Sequence, residues 1–133
     1  MKLSGFADEI SPNLDEQLKV LEQEGIGYLE LRGVWDKNVI QLDNAEINRI
    51  KAALAAGGFG VSAIGSPIGK IGIEEPFEPH FDGFRRILDI AVALDSPYIR
   101  LFSFYLPKDA NPDGYRNQVL DRLSAMVEAA EGS

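Results

Sequence analysis

The chain has 133 residues, enough for one domain with a buried core, and its 45% hydrophobic and 26% charged content is that of an ordinary globular protein. A net charge of −8 leaves no basic footprint for DNA, RNA or an anionic membrane, and no apolar run approaches the roughly 20 residues that span a bilayer. Without cysteine there are neither disulfides nor thiolate metal ligands, and acidic residues as early as Asp8 and Glu9 leave no room for a signal peptide; both point to the cytoplasm.

In chain order the sequence predicts four strand–helix units. A first strand covers residues 3–8. Asn13 and Glu16 then have capping-box spacing, Leu14, Leu18 and Leu21 form an apolar stripe, and Gly25 ends the helix. The second strand is Tyr28-Leu29-Glu30-Leu31-Arg32, followed by a loop carrying Trp35. Asp43 or Asn44 caps a helix with Ile47, Ile50 and Leu54 on one face, and Gly57-Gly58 closes it. A third strand spans residues 61–66, and a Gly/Pro-rich loop spans 67–79. Phe81, Phe84, Leu88 and Ala91 mark the third helix. Asp95-Ser96-Pro97 turns into a fourth strand at 98–104. The loop 105–114 is rich in Pro, Asp and Asn, and Val119, Leu123 and Val127 mark the last helix.

Strands alternating with helices imply parallel pairing with right-handed crossovers, either as part of a (β/α)8 barrel or as an open doubly wound sheet. Strands buried on both faces read as continuous apolar runs, and these do not. One alternate set is Ser4, Phe6, Asp8; Tyr28, Glu30, Arg32; Ser62, Ile64, Ser66; and Arg100, Phe102, Phe104. The other is Leu3, Gly5, Ala7; Leu29, Leu31; Val61, Ala63; and Ile99, Leu101. The second set suits packing against helices and the first a barrel interior. The expected fold class is therefore α/β: four consecutive βα units around a parallel sheet, the N-terminal half of a TIM (β/α)8 barrel, filling residues 1–133.

Interior layers of such a barrel draw side chains from alternate strands. Glu30 and Arg100, on the second and fourth, are thus placed to pair, either as a structural ion pair or as an arm of a binding site. Arg32 ends its strand where barrel active sites lie, and its guanidinium suits a carboxylate, hydroxyl or phosphate. Asp8 and Glu9 end the first strand, in position for a local cap or salt bridge. His80, the only histidine, opens the third helix, whose N-terminus disfavours its charged form. Trp35, Phe104 and Tyr105 are placed to stack on a sugar ring or simply to pack. Two look-alikes fail: Gly65-Ser66-Pro67-Ile68-Gly69-Lys70 is one residue short of a phosphate loop, and Gly57-Gly58-Phe59-Gly60 precedes a strand where a dinucleotide fingerprint follows one.

Leu14-Asp15-Glu16-Gln17-Leu18 with Tyr28-Leu29-Glu30-Leu31-Arg32 resembles the opening of the xylose-isomerase-like (β/α)8 family. The segment from Ala93 to Phe104, with the helix from His80 to Ala91 before it, resembles that family's fourth strand. The family includes sugar phosphate isomerases and epimerases, inosose dehydratases and endonuclease-IV-type enzymes. The resemblance covers the first half of a member. It implies a sugar-like substrate and a divalent metal, manganese or similar, in a full-length parent. It places the metal ligands and proton-transfer carboxylates on later strands, so none is expected here. It matches Glu30, Arg32, His80 and Arg100 to substrate-side positions, and sets Asp95 where glycine is common.

Gly132-Ser133 reads as the start of a turn into a fifth strand. The expectation is a truncated half-barrel, derived from a metal-dependent sugar or polyol isomerase, epimerase or dehydratase and inactive alone. The structural alternative is a half-barrel that self-associates through its open face; a nuclease role is disfavoured by the acidic balance.

Overall fold

The computed structural model describes residues 1–133. It contains strands β1 (Ser4–Gly5), β2 (Tyr28–Leu31), β3 (Gly33–Val34), β4 (Lys37–Asn38) and β5 (Gly60–Ile64), and helices α1 (Leu14–Gln23), α2 (Asn44–Gly57), α3 (Phe77–Ala93) and α4 (Arg116–Ala130). β1, β2 and β5 form a parallel sheet in that order, and residue 99 joins its far side through a parallel bridge from Ile99 to Ile64. The neighbours follow chain order, as in a barrel, and the sheet stays open. The fold is mixed α/β, consistent with a half-barrel.

α1 and α2 form where capping chemistry meets an apolar stripe, whereas α3 and α4 have the stripe without a side-chain cap. Asn13 accepts from the Glu16 amide, but Glu16 does not complete the expected box. Its carboxylate takes the Ser11 hydroxyl instead, and Ser11 Oγ accepts from the Asn13 amide, so Ser11 relays the cap. Asp43 and Glu46 form a full capping box on α2, and Gly58 ends it in the left-handed region at φ 72°. α3 starts at Phe77, inside the stretch expected to be loop. Pro79 is tolerated there because amides in a helix's first turn have no intrahelical partner.

Leu29, Leu31, Val61 and Ile64 point to the helices and are buried with Leu18, Leu21, Ile50, Ile87 and Ile90. Each such side chain contributes about 1.5–3 kcal/mol by leaving water. Ile64 is a correction, since strict alternation placed it inside the barrel. β2 and β5 pair Leu29 with Val61 but Glu30 with Ala63, leaving Ser62 as an extra residue. This bulge resets the alternation, so Ile64 joins the core beside Leu31. Ser62 Oγ lies 2.5 Å from Ser4 Oγ and 3.3 Å from the Leu29 carbonyl.

Two predicted strands are shorter than expected. β1 stops at Gly5 because a 3-10 turn, Ala7–Glu9, follows at once. The fourth forms only isolated bridges. It bonds to Ile64, the last residue of β5, through Tyr98 and Arg100, and beyond that its amides at Phe102 and Phe104 are donated to Ile68 and Gly69 of a folded-back loop, with Phe104 breaking the run at φ 72°. On α4 the inward residues are Arg122 and Met126, whereas Val127 is 57% exposed. The buried stripe is thus turned from the one the sequence suggested.

Candidate active site

The carboxyl ends of β1, β2, β5 and the start of segment 98–105 share one rim. Register decides which side chains meet there. Leu31 lies opposite Ile64, and Ile64 opposite Ile99. Arg32 and Arg100 therefore stand level, each one residue nearer the rim. Their guanidinium carbons lie 4.7 and 5.6 Å from the Phe6 ring centroid. Gly65 makes this possible: a Cβ there would approach Arg32 Cβ to 3.2 Å and Phe6 Cε1 to 3.5 Å.

The two arginines differ in charge balance. Arg32 Nε donates to Asp8 Oδ2 at 2.7 Å and Nη2 to Glu9 Oε1 at 3.2 Å. The bond to Asp8, with lesser help from Glu9, holds its pKa above the ordinary arginine value against the opposing effect of burial. The pair is partly exposed, so its net stabilisation is at most about 1 kcal/mol. Asp8, Arg32, Asp36, Lys37 and Asn38 also line a polar cavity of about 340 Å³. Arg100 has no carboxylate. Its Nη2 donates to the Ser66 carbonyl at 3.3 Å, its charge lies over Phe6 and Phe102, and its buried Nε has no acceptor. Ser66, fully buried, donates to the Arg100 carbonyl at 2.5 Å and anchors this strand end.

Glu30 and Arg100 do not pair. Glu30 lies opposite Ala63, whereas Arg100 is two residues beyond that level, about 7 Å along the strand. Glu30 shares the inner face with no hydrogen-bond or ion partner. His80 lies apart from the arginines. Its Nε2 accepts the Gly69 amide at 2.8 Å, and its ring meets Phe104 edge-on. Its pKa is pushed below 6.5, first by burial and then by Arg122, with Glu75 opposing. Gly69 is left-handed at φ 89°, and a Cβ there would overlap the Phe102 carbonyl.

Trp35 faces α2, where the Arg49 guanidinium lies 4.6 Å from its ring centroid. Trp35 and Asp36 form the two-residue turn between β3 and β4, with φ of 55° and 60°. Arg122 was not singled out by sequence. It is 9% exposed, stacks on Phe77 and Phe104, and donates to the Glu75 carbonyl. The spacing Val119, Arg122, Met126 was the available signal, because it sets a charged residue on the inward stripe.

A divalent metal does not fit the residues present. No group of three or more His, Asp or Glu side chains converges, and the acids at the rim, Asp8 and Glu9, already bind Arg32. No reaction step is therefore routed through a metal here.

No protein-family model and no curated protein sequence matches the chain. Solved structures do. The 3-keto-D-glucoside 4-epimerase of E. coli superposes with TM-score 0.65 at 20% identity, over 98% of this chain and 51% of that one. A xylose isomerase-like TIM barrel protein from Mycobacterium smegmatis, in complex with magnesium, gives TM-score 0.62 at 16% identity, over 87% and 42%. This chain has the fold of half a xylose isomerase-like TIM barrel. A xylose isomerase domain protein from Planctomyces limnophilus agrees, with TM-score 0.56 at 17% identity, over 86% and 45%. The half-barrel spans about half the length of the solved chains it matches. Its rim of Arg32 and Arg100 lies at the end of the strands where barrels of this kind keep their active sites.

Proposed function

We propose that this half-barrel provides the early-strand, substrate-side wall of a sugar or polyol isomerase, epimerase or dehydratase. The observation that carries this reading is the rim itself: Arg32 and Arg100 level over Phe6, in a fold shared with a sugar epimerase. Guanidinium groups in that position suit the hydroxyls and carbonyl of a sugar-like ligand. Glu30 and His80 complete the proposed substrate-side set. Reactions of this class move a proton next to a carbonyl, with a carboxylate as base. The half-barrel's own acids at the rim are held by Arg32, so we assign it binding and orientation rather than proton transfer. Work in the cytoplasm belongs to the same reading and is in keeping with a cysteine-free sequence. The test is a ketose epimerisation and isomerisation assay of the pure chain with added manganese. No turnover is expected, and turnover that disappears in Arg32→Ala and Arg100→Ala would refute the assigned inactivity.

A second reading is favoured by the open sheet: the chain self-associates to cover its inner face. β1 pairs on one side only, with β2, and residues 98–105 form the opposite edge. Unpaired edges of this kind are templates for another strand. Light scattering tests this reading, which expects a dimer and fails on a monomer.

A further inference from the structure

The loop between β5 and α3 carries no helix or strand of its own, yet Ser66, Ile68 and Gly69 are buried. Its hydrogen bonds run to the segment 98–105. Phe102 and Phe104 donate to the Ile68 and Gly69 carbonyls, Tyr105 to Ile71, and Ile73 to Tyr105. The Gly69 amide has no backbone acceptor and donates to His80 Nε2 at 2.8 Å. An imidazole nitrogen accepts only while it carries no proton, so this bond fixes a neutral ring with its hydrogen on Nδ1. A proton on Nε2 would set two donors face to face and leave a buried amide unsatisfied. Burial first, and then Arg122 of α4, disfavour a positive charge on the ring, while Glu75 of the loop favours one. The segment 98–105 meets the ring with the uncharged Phe104. On α3 itself Glu78 is exposed and Asp82 is bound by Arg85; in the loop, Glu74 takes the Tyr115 hydroxyl and Lys70 lies over Phe102.

We propose that neutral His80 is a latch that holds loop residues 67–71 against residues 102–105, and that protonation of the ring releases this stretch while the surrounding helices and strands stay folded. The release is local because both ends of the loop have other anchors. The Ser66 hydroxyl donates to the Arg100 carbonyl at one end. At the other, Gly72 donates to the Glu75 carboxylate, Gln118 to the Ile73 carbonyl and Arg122 to the Glu75 carbonyl. Between those anchors, His80 is the only side chain from outside the loop that bonds to it. The latch is closed above the folded pKa of His80 and opens as pH falls through it. Its effect reaches the rim through Phe102, whose ring centroid lies 4.9 Å from the Arg100 guanidinium carbon. Acid therefore loosens the footing of Arg100 and leaves Arg32 tied to Asp8 and Glu9.

The experiment is amide hydrogen exchange read by NMR on the full chain between about pH 7.5 and 5, with the His80 ring titrated in the same samples. Rates are expressed as protection factors, so that the pH dependence of exchange itself cancels. The amides of Gly69, Phe102 and Phe104 should lose protection together, by about fivefold or more, as the ring takes up its proton. Amides inside α2 and α3 should keep theirs. Ring-nitrogen spectra at neutral pH should show the hydrogen on Nδ1. His80→Gln supplies an acceptor that does not titrate and should keep the three amides protected throughout. His80→Leu supplies none and should leave them weakly protected at every pH. Protection of Gly69 that does not change through the ring titration would overturn the proposal, as would a neutral ring with its hydrogen on Nε2. So would an acid loss in His80→Gln equal to that of the wild type, which would assign the effect to another group. A loss that includes α2 and α3 would replace the latch with global unfolding.

Discussion

Asp95 follows α3 at φ 53°, in the left-handed region that costs an L-residue about 1–2 kcal/mol. Glycine avoids that cost but loses about 0.5–1 kcal/mol of chain entropy on folding. Asp95→Gly should therefore stabilise by about 1 kcal/mol and raise the melting temperature by roughly 3 °C, read by calorimetry. This position was legible in the sequence as a place for glycine. The turn at Trp35 and Asp36 was not, because neither residue is the glycine or asparagine that announces such a turn. His80 sets a pH dependence. Its folded pKa lies below the unfolded value of 6.5, so the unfolded chain binds more protons between the two. The stability it contributes is complete above about 6.5 and is lost as pH falls through the folded pKa. His80→Gln should flatten that acid limb in urea melts while changing little at neutral pH. An unchanged limb would mean that another group is responsible.

At the scale of elements, the helices were the most legible part, because apolar spacing marks all four and a side-chain cap adds to it in α1 and α2. α2 carries the clearest case. Asp43 accepts the Glu46 amide, while Glu46 returns to the Asp43 amide and also binds Lys37 of β4. Asp43→Ala should cost about 1 kcal/mol by urea denaturation, with no change in the slope of the transition. The fourth strand was legible as a segment but not as a broken ladder. Beyond Ile64 of β5 its partner is a loop through Ile68 and Gly69, and the Gly69 amide is donated to His80 of α3. No local pattern encodes such a contact.

For the whole molecule, alternating strand and helix signals sufficed to read a half-barrel, and the rim residues Arg32 and Arg100 were named from it. Their neighbourhood was not readable, because it depends on register across three strands. A pairing of Arg100 with Glu30 looked natural from alternation alone. The ladder instead sets Arg100 level with Arg32. The surplus residue at Ser62 has a further effect on how this architecture tolerates change in length. Deleting a residue inside a strand normally turns every later side chain to the wrong side. Here the loss of Ser62 would bring Ala63 opposite Glu30 and Ile64 opposite Leu31, the partners they already have. A Ser62 deletion should fold, forfeiting only the hydroxyl contacts to Ser4 and the Leu29 carbonyl, with circular dichroism and melting as the readout. The middle of the sheet thus holds one letter of slack: a lineage can drop it or regain it without turning the cylinder wall inside out.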